Sequence, residues 1–378
     1  MGVMLLLSAL VAARLDAAVE TGGYVGTQVL DAAPGPRGAL DLTPSLAGTF
    51  DEPGLTLEGR YAPRLFFGDA GAAALSGVRQ DASVAARWQE SRSLQLAASA
   101  RVRYGRNEFA WDAGAARPFD FVEFLLPVIP DELSSDAELG FSLLPARNFA
   151  LNLSAGYLTY GGLSAASQHL LPFQQGPQLY AGLEQQLDRN DALATELYTS
   201  ETFASGGRRD SLLRLTEGWT RQLDSATRSK LAVGGSAWRK SLTGEGDAGF
   251  FPVASLSLER RHPDRDQRLD LGAEASLGPH RDPLTAELLD RAEMALSARF
   301  VLREDLSIGG RAAAARELGP AGARLLLGAA DLAFHPGREI TLALGAESVW
   351  QELPAQGPQP LLRWMAFTSL TVGVRDIL

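Results

Sequence analysis

The 378-residue sequence carries a formal net charge of −10, 46% hydrophobic residues and no cysteine. The absence of cysteine excludes disulfide scaffolds and thiolate metal sites, and the acidic balance argues against a nucleic-acid partner, because a polyanion requires a basic stripe. Mean hydropathy is −0.04 and no interior run approaches the ~20 apolar residues of a spanning helix, which excludes a helical membrane protein.

In chain order, residues 3–13 (VMLLLSALVAA) come first, an apolar core of export-signal length followed by the small residues Ala17 and Ala18. The expected signal peptide is 1–18, cleaved within 12–18, although no Lys or Arg precedes its apolar core. Residues 19–378 then form a single domain. In a periplasm that oxidises thiols, a chain without cysteine avoids mispairing during transit.

From residue 19 onward, apolar and polar side chains alternate with a period of two. In 93–104, Leu94, Leu96, Ala98, Ala100, Val102 and Tyr104 share one face, while Ser93, Gln95, Ser99, Arg101 and Arg103 share the other. Such alternation marks a strand with one apolar and one wet face. Eighteen segments read this way: 19–30, 39–50, 55–67, 81–89, 93–104, 135–144, 149–160, 178–187, 192–200, 211–223, 230–239, 253–260, 268–277, 288–302, 306–315, 324–334, 340–350 and 361–374. Their connections fall into two alternating classes. One is short and built from turn formers, as at 51–54, 90–92, 145–148, 188–191, 224–227, 303–305 and 335–338. The other is longer and rich in Gly and Pro, as at 31–38, 68–80, 161–175 and 318–323. Short turns at one rim and long loops at the other are the plan of a bacterial outer-membrane barrel. The expected fold is therefore all-β, a transmembrane antiparallel up-and-down β-barrel of about eighteen strands, with sixteen as the alternative count.

Aromatic residues on the apolar face sort to the two rims. Phe50, Trp88, Phe149, Trp219, Phe300 and Phe334 fall near the short turns; Phe67, Tyr104, Tyr157, Trp350 and Trp364 fall near the loops. An amphipathic ring prefers the headgroup level, so two belts imply two lipid interfaces. Glu217 breaks the apolar face of 211–223, and Asp331 blurs the phase of 324–334. A bulge, a register shift or a lumenal position is expected at each.

The polar faces define an expected lumen. Its cations are Arg60, Arg64, Arg87, Arg101, Arg103, Arg214, Arg268, Arg291, Arg299, Arg311 and Arg363; its acids are Asp41, Glu58, Glu184, Glu196, Asp270, Glu274, Glu293, Glu339 and Glu347. Mixed charge gives a hydrated path and a transverse field. The principal lining is expected from Arg60, Arg64, Arg87, Arg101, Arg103, Arg268, Asp270, Glu274 and Arg363, with Arg60, Arg64, Arg101 and Arg103 as a basic patch on one wall. Mutual neutralisation of these charges across a filled interior is the plainer alternative. The longest insertion, 105–134, holds the run Phe119-Asp120-Phe121-Val122-Glu123-Phe124-Leu125-Leu126. It is too apolar to stand in water unpartnered, so Phe119, Phe121, Phe124 and Leu126 are expected to form a constriction or cap. Its place between the fifth and sixth strands resembles that of the inward-folded loop of trimeric porins.

Enzymatic chemistry finds little support. His262-Pro263 and His335-Pro336 open short turns, and His169 and His280 sit in loops. No Ser–His–acid set, phosphate-binding glycine motif or His cluster with metal spacing is present, so no catalytic, cofactor or metal residues are expected. His280-Arg281-Asp282 is the nearest approach to a polar triad.

The stretches Leu42-Thr43-Pro44-Ser45-Leu46 and Tyr61-Ala62-Pro63-Arg64-Leu65 resemble outer-membrane barrels of myxobacterial-type bacteria, some of which belong to exopolysaccharide export systems. That resemblance implies a channel for hydrophilic solute or exported polysaccharide, without catalysis. It implies as partners outer-membrane lipid and lipopolysaccharide, the barrel-assembly machinery, and a periplasmic polysaccharide export protein docked beneath. A structural or adhesive barrel with a blocked lumen and partner-binding loops is the alternative.

Overall fold

Strand alternation this long is stable only where every backbone group finds a partner, and closure supplies the last ladder. The computed structural model describes residues 13–27, 36–70, 73–107, 129–242, 245–261, 268–282, 285–319, 322–337, 339–352 and 361–374. The described strands are β1 (Ala13–Thr27), β2 (Pro36–Glu52), β3 (Leu55–Tyr61), β4 (Arg64–Ala70), β5 (Ala73–Ser91), β6 (Leu94–Asn107), β7 (Ile129–Ala146), β8 (Phe149–Gly162), β9 (Gln174–Gln186) and β10 (Asp191–Ala204). Then come β11 (Arg208–Gln222), β12 (Thr227–Leu242), β13 (Glu245–Arg261), β14 (Arg268–Arg281), β15 (Leu288–Arg303), β16 (Leu306–Glu317), β17 (Arg324–Gly337), β18 (Ile340–Glu352) and β19 (Leu361–Val374). Among the described residues one short helix, α1 (Ala165–Leu170), lies between β8 and β9.

Every strand runs antiparallel to its neighbours, and β1 pairs with β19 as well as with β2, with Val19 opposite both Val372 and Pro44. The sheet is therefore a closed barrel. Strands β3 and β4 are two halves of one stave, since both lie between β2 and β5. The break falls at Ala62-Pro63, where proline removes a ladder donor. Counting them together gives eighteen staves.

β1 begins at Ala13, with Ala13 opposite Phe50 and Ala17 opposite Leu46 and Val374. Residues 13–18 thus form ladder rungs and overlap the expected leader boundary at 18, while residues 1–12 lie outside the described part of the chain. Alternation could not place the strand start, because Ala17 and Ala18 suit a cleavage site and a strand equally.

The long-loop rim departs from expectation. Much of 68–80, 201–210 and 240–252 is strand: β4–β5 pair out to Ala70 and Ala73, β10–β11 to Ala204 and Arg208, and β12–β13 to Leu242 and Glu245. The β10–β11 hairpin closes through Ser205-Gly206-Gly207, with φ of +90° and +81° at the two glycines. Hairpins that project above the membrane are wet on both faces, so apolar alternation ends while backbone pairing continues. The β13–β14 ladder, by contrast, stops at Ala254 and Leu277, although both strands run further toward this rim. Pro252 and Pro279 lie beyond that point, and proline cannot donate to a ladder.

At the opposite rim, one sequence solution is used twice. Gln186-Leu187-Asp188 and Gln222-Leu223-Asp224 open the β9–β10 and β11–β12 turns. Asp188 Oδ1 accepts from the backbone N–H of Asn190 (2.7 Å) and Asp191 (2.9 Å), and Asp224 Oδ1 from that of Ala226 (2.7 Å). Gln186 and Gln222 then donate to the carbonyls of Asp188 and Asp224. The backbone donors hold both carboxyls below the ordinary carboxylate range.

The outward face is apolar around the ring, and the register directs all eleven rim aromatics outward. Trp88 sits opposite Leu96, eight residues before Tyr104 on β6, which is about 20 Å of height at ~3.3 Å per residue and ~40° of tilt. Between the two belts Glu217 faces outward, opposite Thr195 and Val233, in ladders with no register shift. The bulge expected there is absent. The Thr195 hydroxyl approaches both carboxylate oxygens at 2.9 Å and donates to the carboxylate. Glu217 stands two residues from Trp219, close to the short-turn belt, where a charge costs less than at mid-bilayer. Glu217→Leu is expected to stabilise the barrel by on the order of 1 kcal/mol, read as a higher urea midpoint in phospholipid vesicles. A lower midpoint would show that the carboxylate contributes to the fold.

Candidate functional site: the barrel lumen

Residues paired across neighbouring strands share a face, so the register carries one lumenal assignment around the whole ring. Starting from Arg101, opposite Ser83 and Asp136, this face holds Arg60, Arg64, Arg87, Arg101, Arg103, Asp270 and Glu274. Arg268 and Arg363 take register positions of the same parity. Asp331 also lies on it, opposite Gly309 and Gly345, with its carboxylate 4.0 Å from Arg299. The phase of β17 was obscure because both its faces are apolar: Leu325, Leu327 and Ala329 point inward, and Leu326, Ala330 and Leu332 outward.

Of the expected basic wall, Arg60, Arg87, Arg101 and Arg103 take inward register positions on β3–β6. Arg60 and Arg101 flank Ser83 in one row, and Arg87 lies nearer the short turns. Arg101 Nη2 reaches Asp81 Oδ2 at 2.9 Å, and Arg103 Nε lies 3.5 Å from the same oxygen. One carboxylate thus serves two guanidinium groups, and the wall keeps a positive excess. Arg64 leaves this patch, because it is buried against Asp41 and stacks 4.9 Å over Phe66. The acids Glu259, Asp270 and Glu274 stand on β13 and β14. In a ring of eighteen staves, β5 and β14 are nine apart, so the basic wall faces a mixed-charge sector, where Asp270 lies in register between Arg261 and Arg299 and Glu259 is 3.7 Å from Arg261. Local neutralisation also occurs, since Lys230 Nζ lies 3.5 Å from Glu196 Oε1 and Arg291 Nε 2.5 Å from Glu293 Oε1.

The lumen is not polar throughout. Ala313, Ala315, Ala323, Leu325 and Val349 form a buried apolar cluster, joined by the partly buried Ala295 and Leu327. All but Ala323 lie on inward strand positions of β15–β18. On β19, Met365 and Phe367 extend this buried sector. Alternation alone cannot separate these residues from lipid-facing ones, because both are apolar.

Near the long-loop rim, the β14–β15 connection is clasped to β11. Arg281 Nη1 donates to Asp210 Oδ2 at 2.6 Å and to the Ala286 carbonyl at 2.9 Å. Arg208 donates to the Thr285 carbonyl and to Glu287 Oε1, both at 2.9 Å. The connection therefore reaches past β12 and β13 to the loop-rim end of β11. Ala286 is held at φ +57°, the one non-glycine with positive φ among the described residues, a conformation that persists only where its surroundings enforce it. None of these clasp residues except Arg281, noted beside His280, stood out in the sequence. Arg208 and Asp210 fell in an expected loop, and no local pattern links them to residues about 75 positions later. His280 lies on a lumenal strand position, 2.8 Å from Arg291 Nη1. The constriction residues Phe119, Phe121, Phe124 and Leu126 lie outside the described residues.

The profile of the EpsX exopolysaccharide export family matches residues 133–378, which run from β7 to beyond β19. The chain belongs to the EpsX exopolysaccharide export family. As an outer-membrane-type barrel of that family, it also matches solved channels in shape. OccK11 (OpdR) of Pseudomonas aeruginosa superposes with a TM-score of 0.51 at 14% identity, covering 96% of each chain. OccK3 (OpdO) of the same organism gives 0.51 at 13%, covering 98% of each, and OccAB4 of Acinetobacter baumannii 0.51 at 7%, covering 96% of this chain and 98% of that one. At such identities the likeness is one of fold. No curated protein shows significant sequence similarity to the chain.

Proposed function

We propose that this EpsX-family barrel is the outer-membrane conduit through which an exported polysaccharide leaves the cell. The supporting observation is the lumen, where a basic wall on β3–β6 and a mixed-charge wall opposite it offer a hydrated path for a hydroxyl-rich polymer. The short-turn rim faces the periplasm, and an export protein there hands over the polymer. Deleting the chain in its host is expected to abolish surface polysaccharide while synthesis continues, measured as polymer retained inside the cell. Unchanged surface polysaccharide sinks the proposal.

The buried apolar sector on β15–β19 favours a second reading, a structural or adhesive barrel with a blocked lumen. Planar-bilayer recording separates the two: stepwise conductance supports the conduit, and a silent barrel that stays silent after deletion of residues 119–130 supports the blocked form.

A further inference from the structure

We infer that the lumenal face of β9–β13 carries an oblique carbohydrate-binding track made by Tyr180, Tyr198, Arg214, Trp238 and Phe251. This inference rests on the export reading and names the subsite that holds the polymer. Register places its members in one row: Ser154 opposite Tyr180, Tyr180 opposite Tyr198, Tyr198 opposite Arg214, Arg214 opposite Ser236, and Ser236 opposite Phe251. Such a row runs perpendicular to the strands. Because barrel strands tilt by ~40°, the four steps of ~4.8 Å from Tyr180 to Phe251 climb about 12 Å along the pore. Trp238 extends it by one position toward the loop rim, its ring centroid 5.4 Å from that of Phe251.

Two glycines let rings lie against the wall instead of standing off it. A Cβ at Gly249 would come 2.5 Å from the Trp238 indole, and one at Gly182 would come 2.5 Å from the Tyr180 hydroxyl. All four rings are half-buried, unlike Phe66 and Phe367, which are buried on the same lumenal face. A flat ring offers its electron-rich face to the apolar C–H face of a pyranose.

Polar groups beside the rings suit hydroxyls. Arg214 stacks 5.0 Å over Tyr198, and the Tyr198 hydroxyl lies 3.2 Å from Gln178 Oε1. The Trp238 indole N–H is shielded from solvent and has no acceptor among the described residues. Lys240 lies 4.6 Å over the same ring. Aromatic faces with a few convergent polar groups suit the pyranose rings of a polysaccharide.

The test uses the full chain in detergent and oligosaccharides released by partial hydrolysis of the host's own surface polysaccharide. Binding is followed by calorimetry. Tyr198→Leu and Trp238→Leu keep apolar volume but remove the ring, and each is expected to weaken binding about tenfold. Tyr198→Phe is expected to retain most of it. Heat-modifiable gel mobility confirms that each variant has closed its barrel, and a variant that does not close is replaced by Phe251→Leu. In the host, the same substitutions are expected to reduce surface polysaccharide. If chain deletion abolishes export but the ring variants bind and export as the parent does, the track is overturned and the conduit stands. If deletion leaves export intact, the conduit itself falls.

Discussion

Replacing Arg64 by leucine is expected to destabilise the barrel by about 3–5 kcal/mol, the usual cost of stranding one partner of a buried ion pair. Arg64 and Asp41 are each only 8% exposed at the side chain, on neighbouring staves of the lumenal wall. Without the guanidinium, Asp41 stays in a poorly hydrated site with its charge uncompensated. The double variant Arg64→Leu/Asp41→Leu should recover most of the loss, because removing both charges removes the desolvation penalty with them. Urea midpoints in phospholipid vesicles measure all three proteins. A double variant no more stable than Arg64→Leu would show that Arg64 acts by packing on Phe66 and not by neutralising Asp41.

The second large effect concerns the clasp between the β14–β15 connection and the loop-rim end of β11. Arg208→Ala/Arg281→Ala removes the two side chains that fasten the β14–β15 connection, and Asp210, 1% exposed at its side chain, loses its cation. Hydrogen bonds to charged groups contribute about 1.5–3 kcal/mol each. Local opening should therefore rise by tenfold or more, and protease cleavage within 282–287 should accelerate in proportion, since cleavage follows the open population. The unfolding midpoint of the remaining barrel should move much less. Larger single-channel steps in the double variant would place the connection in the conducting path, and unchanged cleavage would show that the clasp bonds do not hold it.

How far the sequence could be read differs from one part of the chain to another. Leu94, Leu96, Ala98, Ala100 and Val102 against Gln95, Ser99, Arg101 and Arg103 identified both faces of β6, because facing is a local property of one strand. The same logic separates the rim aromatics from the charged positions. It failed at Glu217, where the fold keeps a carboxylate near the interface without a bulge. Loop lengths misled at 201–210, because a hairpin in water needs pairing and not amphipathicity. For β17, inward Leu325 and Leu327 are indistinguishable from outward Leu326 and Leu332 until the register is known.

Period-two alternation by itself determined that the chain closes into an outer-membrane barrel of about eighteen staves, and which residues share the charged face. Tertiary structure alone decided who meets whom: Arg64 with Asp41, Arg208 with Glu287, Arg281 with Asp210, and three rings in one climbing row with a fourth beside it. The physical reason is that a strand's faces follow from its own side chains. Juxtaposition across the lumen follows from register and ring closure, to which every strand contributes and which none encodes alone.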